Sequence, residues 1–162
     1  MLNIMRDAWA KNYQDLEEVL RNIEDLDAID YKWLVKTTFE TIYNKYVDPY
    51  DSELGYPYHE GLDCEKISVI NNGDYQGTLL FLIPFNTYQP DASDYLMTHV
   101  GYGSCSGCDA LERIRMYGSG APSEQQVADF MGLCRAIVAN TIKPYNYGWR
   151  HNYAFDIATV EE

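Results

Sequence analysis

Basic residues are scarce in this chain: 12 Lys and Arg stand against 25 Asp and Glu, for a net charge of −13. A free nucleic-acid binder needs the opposite balance, because its affinity comes largely from neutralised phosphates. Anionic membrane surfaces are disfavoured for the same reason. Long apolar runs are also missing. No window approaches 18 apolar residues, so no membrane span is expected, and Met1 to Ala10 carries Asp7 without the apolar stretch of a secretory leader. The expected location is therefore intracellular, where disulfides rarely persist. There is no HExxH, no phosphate-loop lysine after the glycines near residue 101, and no dinucleotide spacing. Internal repeats and low-complexity tracts are absent too.

Tyrosine, by contrast, is abundant, with 15 residues. Its ring packs while its hydroxyl stays wet, which suits half-buried shells and interfaces. Together with the acidity, this favours basic proteins as partners, since charge of this sign speeds their capture.

The length of 162 residues fits one domain, residues 1–162. Met5, Trp9, Tyr13, Leu16, Leu20 and Ile23 recur at steps of three and four, which predicts a first helix. A second is expected from Ile29 to Tyr46, with Val35, Phe39, Ile42 and Tyr46 on one stripe, ended by Asp48-Pro49. Asp48 to Gly61 reads as a loop. The period then changes. Lys66 to Ile70 reads as a strand, Asn71 to Asp74 as a hairpin turn, and Thr78 to Ile83 as a central strand covered on both faces. Tyr95 to Tyr102 alternates, with Leu96, Thr98 and Val100 on one side. Asp109 to Met116 is expected to be a short helix stopped by Gly118-Ser119-Gly120. Ser123 with Gln126 forms a capping box for a last helix that ends at Lys143-Pro144. The expected fold is α+β: two N-terminal helices, a three-stranded antiparallel meander and two C-terminal helices, with helices free to cover both faces of the sheet.

Four cysteines carry the chemistry. Cys105 and Cys108 form a CxxC turn in which small Ser106 and Gly107 let two thiolates take two corners of a zinc tetrahedron. No second CxxC exists. Cys64, before the first strand, and Cys134, on the apolar stripe of the last helix, are the candidates for the other corners; a four-thiolate structural Zn2+ site is expected. His59 or His99 are substitutes, and Cys134 is alternatively a plain core thiol. Redox chemistry is the rival reading, because a helix N-terminus favours thiolate. Asp109 beside Cys108 opposes it, and no βαβ unit opens the chain. A metal hydrolase would need an open position and a base such as Glu60 or Asp63. No catalytic residue is assigned.

Four segments together resemble a family of small proteins from tailed phages of Gram-positive bacteria. They are Val69 to Thr78 (Val-Ile-Asn-Asn-Gly-Asp-Tyr-Gln-Gly-Thr), Tyr95 to Thr98, Val100 to Asp109 and Lys143 to Asn146. The likeness covers about residues 62 to 150, and Gly103 to Asp109 (Gly-Ser-Cys-Ser-Gly-Cys-Asp) is its most specific part. Size, acidity and phage-like character also resemble an anti-CRISPR protein of metal-binding type, directed at a Cas9-type nuclease. The resemblance implies a non-enzymatic inhibitor in the host cytoplasm that binds the nuclease protein and makes no direct nucleic-acid contact. A structural or regulatory phage zinc protein with another partner, and a thiol or metal enzyme, are the alternatives.

Overall fold

The computed structural model describes residues 3–47, 61–116 and 120–142. His59, Glu60, most of the Asp48–Gly61 loop, Gly118-Ser119 and the Lys143-Pro144 stop lie outside the described residues.

Helix α1 spans Asn3–Arg21 and turns Met5, Ala8, Asn12, Leu16 and Leu20 inward. The stripe is thus rotated from the one the apolar residues suggest. Trp9 is half-buried and Tyr13 is exposed, while polar Asn12 goes inside. Its amide donates to the Ile42 carbonyl at 3.0 Å, which satisfies a group that would otherwise be costly to bury. Helix α2, Tyr31–Phe39, starts on Asp30, whose carboxylate accepts from the Trp33 N–H at 2.7 Å. It does not run on to Tyr46 as one α-helix. Glu40–Asn44 is wound as a π-helix, and Asn12 meets its backbone there. Asn44 then pairs with Leu62 in both directions, through Nδ2 to the carbonyl at 3.0 Å and Oδ1 from the N–H at 2.8 Å.

The sheet is an antiparallel meander in the order β1 (Ser68–Gly73), β2 (Gly77–Pro84), β3 (Tyr95–Tyr102). The hairpin sits later than the Asn-Asn-Gly signal implies. Asn71 and Asn72 pair with Leu79 and Thr78, and Gly73 opposite Gly77 closes the ladder. A Cβ on Gly73 would lie 2.2 Å from the Gln76 carbonyl oxygen, so the backbone itself requires glycine there and the turn shifts to residues 74–76. Phe81, Ile83, Leu96, Thr98 and Val100 form the buried face, and Thr98 Oγ1 donates to the Ile137 carbonyl of the last helix at 2.6 Å.

Helices α3 (Ala110–Arg115) and α4 (Glu124–Ala139) complete the fold. With α1, α2 and the inner sheet face they enclose one continuous core, where Phe39, Phe81 and Phe130 are fully buried. Each such ring contributes roughly 1.5–3 kcal/mol by leaving water. Among the described residues, helices pack on one sheet face only. On the other, Ile70 is 50% exposed and Leu80, Leu82 and Met97 are half-buried. Among the described residues, the apolar run of β2 thus goes with its central position and with helical cover on one face. After α4 the chain returns to the sheet, and Ile142 bridges to Met97 on β3. No helix among the described residues is long and apolar enough to cross a membrane.

The capping box forms as expected. Ser123 Oγ accepts from the Gln126 N–H at 3.3 Å, and Gln126 Oε1 accepts from the Ser123 N–H at 2.9 Å. Gln126 also donates to the Ile114 carbonyl of α3 at 2.8 Å. Ser123→Ala is expected to cost about 1 kcal/mol. Gln126→Ala should cost more, about 2 kcal/mol, because it strands a buried carbonyl as well. Urea midpoints of the two variants check the ordering.

Candidate functional site

Strand β3 delivers the chain to Gly103, and the CxxC turn follows before α3 begins. The turn is closed by its own backbone: the Cys108 and Asp109 N–H groups donate to the Cys105 carbonyl at 2.9 and 2.8 Å. Both sulfurs are exposed, and they touch at 2.7 Å. Cys108 Sγ also accepts from the Cys105 N–H at 3.1 Å and lies against Gly103, where a Cβ would come within 2.5 Å of it. Glycine at 103 is therefore what lets Cys108 fold back under the turn.

Asp109 anchors the turn from beneath. It is only 5% exposed. Its Oδ1 accepts from the Tyr31 hydroxyl at 2.8 Å and, as N-cap of α3, from the Glu112 N–H at 3.1 Å. Its Oδ2 accepts from the Gly103 N–H at 3.0 Å. The Tyr31 hydroxyl in turn accepts from the Leu111 N–H at 3.3 Å. Burial, and next the hydrogen bond to Asp109, push the Tyr31 phenol well above its ordinary range. This clasp joins β3, α3 and the first turn of α2. A sequence signal for it exists: Asp109 followed by Glu112 is a capping pattern ahead of apolar Ile114.

Asp109 opposes thiolate character at Cys105, as its adjacency to the pair suggests, but its charge is outweighed. The Cys105 thiol is held below its ordinary range. Its hydrogen bond with Cys108 is the main cause and the Gly107 N–H the next, while the charge of Asp109 is the smallest influence. The carboxylate is turned inward and already occupied, so little of its field reaches the exposed sulfur.

Cys64 and Cys134 lie elsewhere. Cys64 opens a short 3-10 turn, Cys64–Lys66. It is 3% exposed, with its sulfur 4.0 Å from Asn44 Nδ2, and Glu65 beside it pairs with Lys36. Cys134, fully buried on α4, faces Thr38 of α2. Lys36 and Glu40 are one helical turn apart, and Thr38 is half a turn round from them. Cys64 and Cys134 thus sit on opposite sides of α2, and the CxxC turn hangs at its N-terminal end through Tyr31. Burial pushes both thiols up to about 12, so both are protonated at neutral pH. The structure brings Cys105 and Cys108 together, with Cys64 and Cys134 placed elsewhere, and no three His, Cys, Asp or Glu side chains converge among the described residues. Cys134 matches the core-thiol alternative. His99 is exposed on β3, opposite Leu80.

The CxxC pair nonetheless suits half a zinc site. Two sulfurs at about 2.3 Å from a tetrahedral zinc stand roughly 3.8 Å apart, and small χ1 rotations of exposed side chains open 2.7 Å to that span. Next to the turn is a hollow of about 460 Å³ lined by apolar Val69, Leu79, Phe81 and Leu111 and by Lys32 and Arg115.

No family model, curated protein or solved structure matches this chain.

Proposed function

We propose that the chain is a phage-encoded, zinc-stabilised acidic binding protein that inhibits a host Cas9-type nuclease by protein–protein contact and not by turnover. The observation that carries this reading is the distribution of negative charge. Arg21, Lys36, Lys45, Lys66 and Arg115 each pair with a carboxylate of the chain itself. The connection between α1 and α2 presents Glu24, Asp25, Asp27 and Asp30, all exposed and without a cation among the described residues. A Cas9-type effector holds guide and target in basic channels. An anionic surface of this kind competes there with nucleic acid and is steered to it over distance. Zinc, in this reading, only holds shape. Cys105 and Cys108 supply two of its ligands.

Target-DNA cleavage by a purified Cas9-type nuclease tests the proposal. Added protein is expected to suppress cleavage at low salt and to lose potency as salt rises. Replacing Glu24, Asp25 and Asp27 together with their amides should weaken inhibition at least tenfold. Unchanged cleavage at low salt would sink the partner assignment. Elemental analysis tests the ion separately: one zinc per chain is expected, and its loss in Cys105→Ser.

A further inference from the structure

The geometry points to a redox-active dithiol at the CxxC turn, in which Cys105 attacks a small-molecule disulfide such as oxidised glutathione and Cys108 resolves the adduct into a Cys105–Cys108 bond. Three observations carry it. Both sulfurs are exposed and within 2.7 Å of each other, so closing to a disulfide of about 2.05 Å moves them by a fraction of an ångström. The turn that holds them is fixed by two backbone hydrogen bonds to the Cys105 carbonyl and by the buried Asp109 beneath. Their roles are unequal. Cys108 Sγ is tucked against Gly103, where an added Cβ would meet it, and bonded to the Cys105 backbone, whereas Cys105 Sγ meets Cys108 and the backbone N–H groups of the turn itself. The outer sulfur is the one an incoming reagent reaches.

The chemistry balances as thiol–disulfide exchange. The Cys105 thiolate attacks one sulfur of the reagent. The reagent's S–S bond breaks, and one thiolate leaves to be protonated. Cys108 gives its proton to solvent and attacks the Cys105 sulfur of the mixed disulfide. That bond breaks, the intramolecular bond forms, and the second reagent thiolate leaves and is protonated. Two protein thiols are oxidised by two electrons, and one reagent disulfide is reduced to two thiols. Cys64 and Cys134 take no part, being buried and distant.

This inference does not rest on the nuclease reading. A zinc ion and a disulfide cannot share the same sulfurs, so chelator-treated protein is the material to test. Full-length reduced chain would be equilibrated with reduced and oxidised glutathione in varied ratio, quenched with acid, alkylated and weighed intact. The expected product has lost two hydrogens, with the new bond mapped to Cys105 and Cys108, while Cys64 and Cys134 alkylate only after unfolding. Cys108→Ser should stop at a glutathione adduct on Cys105, and Cys105→Ser should form no intramolecular bond. Free thiols at both positions in excess oxidised glutathione would overturn the assignment, as would a wild-type adduct that persists without ring closure. The adduct of Cys108→Ser appearing at Cys64 or Cys134 would overturn it equally.

Discussion

Asp109→Ala is expected to lower the stability of the whole domain by about 3–5 kcal/mol, from the loss of one exposed-looking acidic residue. The carboxylate is buried and accepts three hydrogen bonds. Removing it leaves the Tyr31 hydroxyl without its acceptor and the Gly103 N–H facing an apolar gap. It also strips α3 of its N-cap, itself worth about 1 kcal/mol. Bonds to a charged acceptor are each worth roughly 1.5–3 kcal/mol net, but the three share one group and do not add fully. Asp109→Asn separates charge from shape. One amide oxygen can still serve Tyr31 and Glu112, while the amide N–H₂ opposes the Gly103 N–H, so a smaller loss of about 1–3 kcal/mol is expected. Urea midpoints should rank Ala below Asn below wild type. Hydrogen exchange should accelerate most at Gly103 and Leu111. A change under 1 kcal/mol for Asp109→Ala would mean that the clasp is not a stabilising element.

That residue shows what the sequence carried and what it concealed. Beside the cysteines, Asp109 reads as a charge acting on a thiol. The capping pattern with Glu112 makes it legible as a helix start, yet nothing local announces Tyr31, 78 positions away. Elements set by short-range chemistry were legible: the Ser123–Gln126 box, the alternation of Leu96, Thr98 and Val100, the antiparallel meander and the existence of four helices. Elements set by three-dimensional neighbours were not. Asn12 has no place on the apolar stripe of α1 and lies inside because Ile42 offers a carbonyl. The hairpin slid because Gly73 and Gly77 face each other at closest approach. Cys134 was already marked as inward by its stripe. Whether it meets Cys64 depends on which helix lies between them, and α2 does.

Raising the pH from 8 to 10.5 should remove about 5 kcal/mol of stability, through the two thiols that the fold buries apart from each other. In the unfolded chain a cysteine ionises near pH 8.5. In the folded protein Cys64 and Cys134 are both pushed up to about 12 by loss of solvent. Below pH 8.5 both states hold their protons, and the thiols contribute no pH dependence. Between about 8.5 and 12 the unfolded chain releases protons that the native state retains, so each rising pH unit favours unfolding by up to about 1.4 kcal/mol per thiol. At pH 10.5 that amounts to roughly 2.5–3 kcal/mol for each. Tyr31, also held high by burial and Asp109, acts in the same direction above about pH 10. The exposed Cys105 has a lowered folded value and therefore the opposite sign, with stability gained as pH rises toward its unfolded value. It cannot offset the buried pair beyond that point. Urea unfolding under a phosphine reductant at pH 7.5, 9 and 10.5 measures the effect. Cys64→Ala and Cys134→Ala should each flatten the alkaline limb by about half, whatever they cost at neutral pH. If the limb keeps its slope in the double variant, the two sulfurs are not the groups being titrated. If wild type shows no alkaline loss at all, the thiols are not buried in protonated form, and their place apart from the CxxC turn would need revision.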